Sequence, residues 1–119
     1  MIFYVRWTPF DGKNMEVITR FANVDPEATT GIMEEMGIKI ICHFELTEGG
    51  GFMLAEAESP AVITLFTAPW SDIMKIEIST VIDRDEALAN YKKIVEMVAQ
   101  MESSSNDSVY GVTYRPNED

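Results

Sequence analysis

The sequence has 119 residues, of which 20 are Asp or Glu and nine are Lys or Arg, giving a formal net charge of −11 at pH 7. The length fits one domain, and an apolar content of 46% is enough to form a hydrophobic core. The charge argues against nucleic acid or an anionic membrane as a partner. It would attract a basic surface of another protein, although such acidity more often serves only solubility.

Targeting and redox features are few. No segment approaches the roughly 18 consecutive apolar residues of a membrane helix. The N-terminal run MIFYVRWTP is strand-like and lacks the basic region of a secretory signal. We therefore expect a cytoplasmic protein with no membrane partner. Cys42 is the only cysteine, so an intramolecular disulfide is excluded.

The N-terminal part of the sequence predicts a strand, a helix and a connection. β-Branched and aromatic residues from Ile2 to Thr8 are typical of a strand, which Pro9 ends. An amphipathic helix follows to about Asn23, and Asp25-Pro26 is expected to end it. The pattern from 27 to 36 is ambiguous and favours a loop with one helical turn.

A hairpin is predicted next. Apolar and polar residues alternate from Ile38 to Leu46, which places Cys42 on the core side and His43 on the opposite side. The glycine-rich run from 48 to 51 supplies the turn, and the partner strand returns from Phe52 to Ala57.

The remaining pattern completes an antiparallel α+β domain. A short helix follows the hairpin, and a fourth strand is predicted from Ile73 to Ile82. Asp83 can cap a long helix that reaches about Glu102. The order βαββαβ, with an extra C-terminal helix, predicts a ferredoxin-like sheet in one domain over residues 1–102.

Residues 103–119 are predicted to be a linker and tail outside this domain. The serine-rich run from 103 to 108 has the composition of a flexible linker. Tyr110, Val112 and Tyr114 alternate as in a strand and would dock on an exposed sheet edge, of this chain or of another protein. A disordered terminus is the alternative.

The alternation assigns apolar residues to both faces of the predicted sheet. Contiguous apolar patches larger than a few hundred Å² usually mark an interface. We therefore expect two copies to pack face to face as a homodimer, burying about 800 Å² on each partner. The predicted interface residues are Ile2, Tyr4, Arg6, Ile41, His43, Phe52, Leu54 and Ile73.

Trp7, His43, Trp70 and Asp72 are the candidate pocket residues. The tryptophans would hold a flat apolar ligand and Asp72 would anchor a polar group, although core packing is the commoner role for such residues. His43 would need a pocket and an orienting partner to act as a base, and a lone histidine is more often structural. Adjacent Cys42 and His43 lie on opposite faces of a strand and cannot share an ion, so no metal or cofactor site is expected.

Five short runs within residues 1–90 match one family pattern. They are Phe3-Tyr4-Val5-Arg6-Trp7, Gly37-Ile38-Lys39, Gly51-Phe52-Met53-Leu54-Ala55-Glu56-Ala57, Trp70-Ser71-Asp72 and Thr80-Val81-Ile82-Asp83. In these runs the sequence resembles the uncharacterised DUF3303 family of the dimeric α/β-barrel superfamily. The resemblance implies a ferredoxin-like fold and a face-to-face dimer, and little about activity. Relatives in that superfamily include cofactor-independent monooxygenases, whose ligands lie between the sheet and the helices.

Two functional hypotheses follow. The leading one is a non-catalytic binding or regulatory homodimer that offers its acidic surface and aromatic tail to a protein partner, as regulators and virus-encoded host-interaction factors do. It leads because no catalytic residue set is predicted. The alternative is a small-molecule-binding or monooxygenase-like protein, which requires a cavity of a few hundred Å³ with convergent polar groups. A structural or stress-response protein without a ligand is a third possibility.

Overall fold

The computed structural model describes residues 1–105, in which a four-stranded sheet and four α-helices are present. The chain divides into two compact units, residues 1–81 with the sheet and the segment from Ile82 onwards with the last helix. The elements are β1 (Ile2–Pro9), α1 (Asn14–Ala22), α2 (Pro26–Met36), β2 (Lys39–Glu45), β3 (Gly51–Glu56), α3 (Pro60–Thr67), a 3-10 turn (Ala68–Trp70), β4 (Met74–Val81) and α4 (Arg84–Ser105).

The strands form one antiparallel sheet in the order β2-β3-β1-β4. This is the strand order of a ferredoxin-like βαββαβ unit, here with two helices instead of one between β1 and β2. The predicted α+β, ferredoxin-like fold is therefore confirmed. The assembly of two such sheets into a barrel stays a prediction.

The segment from 26 to 36, for which the sequence favoured a loop, is an α-helix. The Asp25 carboxylate accepts a hydrogen bond from the backbone N–H of Glu27 at 3.0 Å, and Pro26 occupies the first helical turn. Gly37, with a φ of 71°, ends the helix in the left-handed conformation. The Asp-Pro pair thus starts a helix, because Asp is a favoured cap and Pro lacks only an N–H that would be unpaired there anyway.

One face of the sheet, called the inner face below, carries the hydrophobic core of residues 1–81. Phe3 and Val5 on β1 are completely buried, as is Ile63 on α3, and Val17 on α1 joins the same cluster. Partly buried side chains of α2 also pack against it. The strand residues of the inner face are Phe3, Val5, Trp7, Pro9, Ile40, His43, Glu45, Gly51, Met53, Ala55, Met74, Ile76, Ile78 and Thr80.

A β-bulge in β2 decides which side chains reach the inner face. Ile41 has no partner in the ladder with β3, where the register shifts between Ile40 and Cys42. Since successive side chains of a strand point to opposite faces, one extra residue reverses the alternation beyond it. His43 and Glu45 therefore lie on the inner face.

The bulge corrects two predictions. Cys42 was expected in the core, but it pairs with Leu54 on the opposite face and is only half-buried. His43 was expected at the dimer interface, but it pairs with Met53 of the core. Uninterrupted alternation from Ile38 to Leu46 was the wrong assumption in both cases.

The opposite face, called the outer face below, presents a partly exposed apolar surface. Phe52 stacks on Tyr4 with ring centroids 5.8 Å apart, and it contacts Phe44 at 5.6 Å. Phe44 keeps 57% of its surface exposed and Ile2 keeps 38%. The residues of the outer face are Ile2, Tyr4, Arg6, Thr8, Lys39, Cys42, Phe44, Phe52, Leu54, Glu56, Lys75, Glu77, Ser79 and Val81.

Ile73 does not belong to the outer face. It precedes β4, is only 2% exposed, and its backbone accepts a hydrogen bond from the N–H of Phe10. Its prediction as an interface residue was wrong because the alternation of β4 starts one residue later, at Met74.

Helix α4 is described by itself. Asp83 caps it as predicted, accepting a hydrogen bond from the backbone N–H of Glu86 at 2.8 Å. Its apolar side chains are exposed, among them Tyr91 at 60% and Val95 at 67%. Across residues 1–105, no helix combines the length and the hydropathy needed to cross a membrane.

Candidate functional site

A cavity of about 400 Å³ lies within residues 1–81, between the inner face of the sheet and helices α1 to α3. Every strand and each of these helices contributes to its wall, so the fold as a whole determines its shape. The lining residues are Trp7, Phe21, Val24, Thr29, Ile32, Met33, Met36, Ile40, His43, Met53, Leu65, Phe66, Thr67, Pro69, Trp70, Met74 and Ile76.

Aromatic rings form one side of this cavity. Phe21 lies between Trp70 and His43, with ring centroids 4.9 Å and 6.3 Å away. Trp7 meets His43 edge to face at 5.0 Å. Aromatic pairs prefer such offset and edge-to-face arrangements, so these four rings form a continuous wall for a flat guest.

His43 is the ionisable residue of the wall, and Glu45, which does not line the cavity, is its partner. The His43 Nε2 atom lies 2.9 Å from the Glu45 Oε1 atom, and both side chains are about half-exposed. The indole N–H of Trp7 donates a long hydrogen bond, 3.4 Å, to the other oxygen of Glu45. The carboxylate therefore orients both a cavity-lining imidazole and a cavity-lining indole.

Gly51 makes room for this group. It lies opposite Trp7 in one ladder and opposite Glu45 in the other. A Cβ atom at this position would come within 2.8 Å of both the Trp7 ring and the Glu45 carboxylate, and within 2.5 Å of the Phe44 carbonyl oxygen. The third glycine of the Gly49-Gly50-Gly51 run therefore serves the site as well as the turn.

Arg20 and Asp72 form a second charged pair beside the cavity. The Arg20 guanidinium donates to both carboxylate oxygens of Asp72, at 2.8 and 3.0 Å, and to the Pro69 carbonyl at 2.9 Å. The hydrogen bond from Arg20 lowers the pKa of Asp72, and the same bond raises the pKa of Arg20. Arg20 also lies 5.7 Å from the centroid of the Trp70 ring, so the pair holds one wall of the cavity in place.

The structure brings together three of the four predicted pocket residues, Trp7, His43 and Trp70. Asp72 lies outside the lining and pairs with Arg20 instead of facing the cavity. Whether the cavity binds a ligand stays a prediction.

The sequence places Glu45 beside His43 on one side of the predicted strand, but Glu45 was not assigned as the orienting partner of His43. Their spacing of two residues on a predicted strand was the available signal, since it places both side chains on one face. The sequence reasoning missed Phe21 and Arg20, for which no local pattern indicated a site.

Two other predictions concern a metal site and the tail. Among residues 1–105, no group of three or more His, Cys, Asp or Glu side chains could hold a metal ion. The tail residues Tyr110, Val112 and Tyr114 lie outside the described residues, so their docking stays a prediction.

A solved structure with a similar fold is 5-chloro-2-hydroxyhydroquinone dehydrochlorinase from Burkholderia phenoliruptrix, in complex with 2,5-dihydroxybenzoquinone. It is 17% identical to this chain, with a TM-score of 0.54, and the match covers 72% of this chain and 98% of the dehydrochlorinase. At this identity the likeness shows the fold alone. No curated protein sequence matches the chain significantly.

The sequence model of DUF3303, a domain of unknown function, matches residues 1–95 and so covers the whole sheet, the cavity and the first half of α4. The chain therefore belongs to the DUF3303 family.

Proposed function

We propose that this protein binds a small, planar, largely apolar molecule in the cavity between the inner face and helices α1 to α3. The observation that carries the proposal is the cavity itself, about 400 Å³ with an aromatic wall and one lining histidine, His43, that is paired with Glu45. Small-molecule sites are concave, mostly apolar and about 300–1,000 Å³ in volume, with a few polar groups that fix orientation.

The composition of the wall favours a ring compound over a polar metabolite. Besides the aromatic rings, the lining within residues 1–81 is mostly Met, Ile, Leu and Val, and each Å² of apolar ligand surface removed from water contributes about 25 cal/mol. Methionine side chains are unbranched and adapt to guests of different shape. The dehydrochlorinase of similar fold was solved with a planar six-membered ring compound, which supports the same ligand class here.

Tryptophan fluorescence tests the proposal directly. The sequence has two tryptophans, Trp7 and Trp70, and both line the cavity. Titration with 4-nitroanisole, a flat nitroaromatic quencher, is expected to quench the fluorescence in a saturable manner. Quenching that rises linearly with concentration, as for a freely diffusing quencher, would contradict the proposal.

Two threonines of α2 provide a matched pair of variants. Thr29 lines the cavity and the neighbouring Thr30 does not, although each hydroxyl donates to the carbonyl four residues earlier. Thr29→Phe places a ring in the cavity and is expected to weaken 4-nitroanisole binding about tenfold, equivalent to about 1.4 kcal/mol. Thr30→Phe, with the same change in the same helix, is expected to leave the affinity unchanged.

We also propose that the chain forms a homodimer through the outer face. Phe44, Phe52 and Tyr4 form a partly exposed aromatic cluster there. The charged residues of this face are three cations and two carboxylates (Arg6, Lys39, Lys75, Glu56 and Glu77), whereas the whole chain carries −11. Two copies would therefore meet at this face with little of the repulsion that the rest of the acidic surface imposes.

The protein-partner hypothesis is less supported than the ligand hypothesis. It depended on the absence of a recognisable site and on the tail, which lies outside the described residues. The acidic surface remains compatible with a basic protein partner.

A further inference from the structure

The His43–Glu45 pair goes beyond what simple apolar binding requires. Both residues are on β2, and the bulge at Ile41 turns both towards the inner face. A cavity that binds only an apolar ring does not require the His43 imidazole to be hydrogen-bonded to the Glu45 carboxylate. The pair therefore indicates that the ligand carries a polar group that interacts with His43.

The hydrogen bond between the two side chains determines which nitrogen of a neutral imidazole carries the hydrogen. An ionised carboxylate can only accept, so the His43 Nε2 atom carries the hydrogen that points to Glu45 at 2.9 Å. In the neutral imidazole the other ring nitrogen, Nδ1, is then an acceptor with a lone pair. No residue between 1 and 105 forms a hydrogen bond with this Nδ1 atom.

We propose that His43 accepts a proton from the acidic hydroxyl of a phenol or enol bound in the cavity, with Glu45 as its positioning residue; this inference rests on the proposed ligand site. The O–H bond of the ligand breaks, its proton forms a new N–H bond at Nδ1, and the electron pair stays on the oxygen. The product is a phenolate or enolate beside an imidazolium. Glu45 stabilises that imidazolium through the existing contact at 2.9 Å.

The surroundings of His43 favour a ligand whose charge is spread over a ring. The rings of Trp7 and Phe21 both lie edge to face with the imidazole, at centroid distances of 5.0 and 6.3 Å. A hydroxyl that reaches the imidazole from the cavity therefore belongs to a molecule lying along the aromatic wall. A ring-conjugated hydroxyl is acidic enough to share a proton with imidazole, whereas an aliphatic alcohol is not. The inferred substrate class is therefore hydroxylated, planar and unsaturated.

The test compares 4-nitrophenol with its methyl ether, 4-nitroanisole, which has the same ring but no acidic proton. The phenol and phenolate forms of 4-nitrophenol absorb at different wavelengths, so absorbance reports the bound form while equilibrium dialysis reports affinity. At a pH where free 4-nitrophenol is mostly protonated, the wild-type protein is expected to bind it mainly as phenolate. His43→Gln is expected to lower the bound phenolate-to-phenol ratio about tenfold, and to weaken 4-nitrophenol binding more than it weakens 4-nitroanisole binding.

Glu45 is tested against a matched carboxylate. Glu45→Gln keeps the size of the side chain and is expected to lower the phenolate ratio about threefold, because the imidazolium loses its charged partner. Glu48→Gln removes the same charge from the nearby turn and is expected to have no effect.

The outcomes separate the two proposals. If both probes bind but 4-nitrophenol stays protonated, or if His43→Gln binds it equally as phenolate, the proton-acceptor inference fails and the ligand site stands. If Glu48→Gln matches Glu45→Gln, the role of Glu45 is overturned. If neither probe binds, the ligand site fails and the inference fails with it.

Discussion

The two faces of the sheet contain similar numbers of large apolar side chains, yet they differ in what surrounds them. On the inner face Phe3 and Val5 have no exposed surface, and helices α1 to α3 enclose a core and a cavity. On the outer face Phe44 is 57% exposed beside the half-buried Phe52. The apolar side chains of the inner face are thus covered by helices of the same chain, and we expect those of the outer face to be covered by a second copy.

The difference shows that one extra residue can exchange the roles of two surfaces. Without the bulge at Ile41, Cys42 and Phe44 would point inward, and His43 and Glu45 would point outward. With it, His43 and Glu45 lie on the inner face, where His43 lines the cavity, and the aromatic ring of Phe44 faces outward. The bulge therefore supplies both the polar group of the proposed ligand site and an apolar residue of the proposed interface.

The largest expected effect concerns stability. Phe3→Ala removes a ring with no exposed surface and is expected to destabilise the fold by about 3–5 kcal/mol. Phe44→Ala removes the same atoms from a half-exposed site and is expected to cost about 1 kcal/mol in the monomer. Denaturant unfolding at low protein concentration measures both. Equal losses would contradict the distinction between the two faces.

The second prediction concerns self-association. Phe44→Lys places a charge within the proposed interface and is expected to weaken the dimer about tenfold or more. Ile18→Lys is the control, because Ile18 is equally exposed at 58% but lies on α1. Light scattering during size-exclusion chromatography gives the mass of each. A wild-type monomer, or an Ile18→Lys protein that dissociates as readily as Phe44→Lys, would overturn the proposed interface.

The third prediction concerns the rate at which the thiol of Cys42 is chemically modified. Cys42 lies on the outer face, so a thiol reagent is expected to modify it slowly in the dimer and faster in the Phe44→Lys monomer. The Ile18→Lys protein should react at the wild-type rate. A thiol that stays inert in every folded variant would instead place Cys42 in the core and contradict the bulge.

The smallest expected effect comes from the Arg20–Asp72 pair. Because the pKa of Asp72 is lower in the folded protein than in the unfolded chain, the pair stabilises the fold above the unfolded value of about 3.8. That contribution is lost as the pH falls through the lower, folded pKa. Asp72→Asn is expected to lose slightly less stability on acidification than wild type, since both side chains are solvent-exposed and the pair is weak.

Acid titration of unfolding, with Asp11→Asn as a control, measures this difference. Asp11 is exposed and forms no ion pair within residues 1–105. If Asp72→Asn and wild type lose stability in parallel over the acid range, the pair does not contribute to the fold.

Most of the fold could be predicted from the sequence because strand alternation and turn residues are local signals. Asp83 as a helix cap and the glycine-rich turn before Phe52 are examples. Helix α2 was missed although Asp25-Pro26 and Gly37 are start and stop signals, since the Asp-Pro pair was interpreted as the end of the preceding helix, which in the structure already ends at Ala22.

The candidate site was harder to predict because it depends on register. Trp7 and Trp70 were predicted as pocket residues from their residue type. The inward position of His43 depends on a β-bulge, which no residue between Ile38 and Leu46 predicts. The pairing of Arg20 with Asp72 joins positions far apart in the chain and is set by packing, which local patterns do not encode.

The measurement that tests the central claim most directly is a ¹³C-methyl NMR titration of the methionines with 4-nitroanisole. All eight methionines lie within residues 1–105, and Met33, Met36, Met53 and Met74 line the cavity whereas the other four do not. Ring currents from a ligand in the cavity are expected to shift those four methyl signals and to leave Met1, Met15, Met97 and Met101 unchanged. Shifts confined to the second group, or no saturable shift at all, would contradict a ligand site behind the inner face.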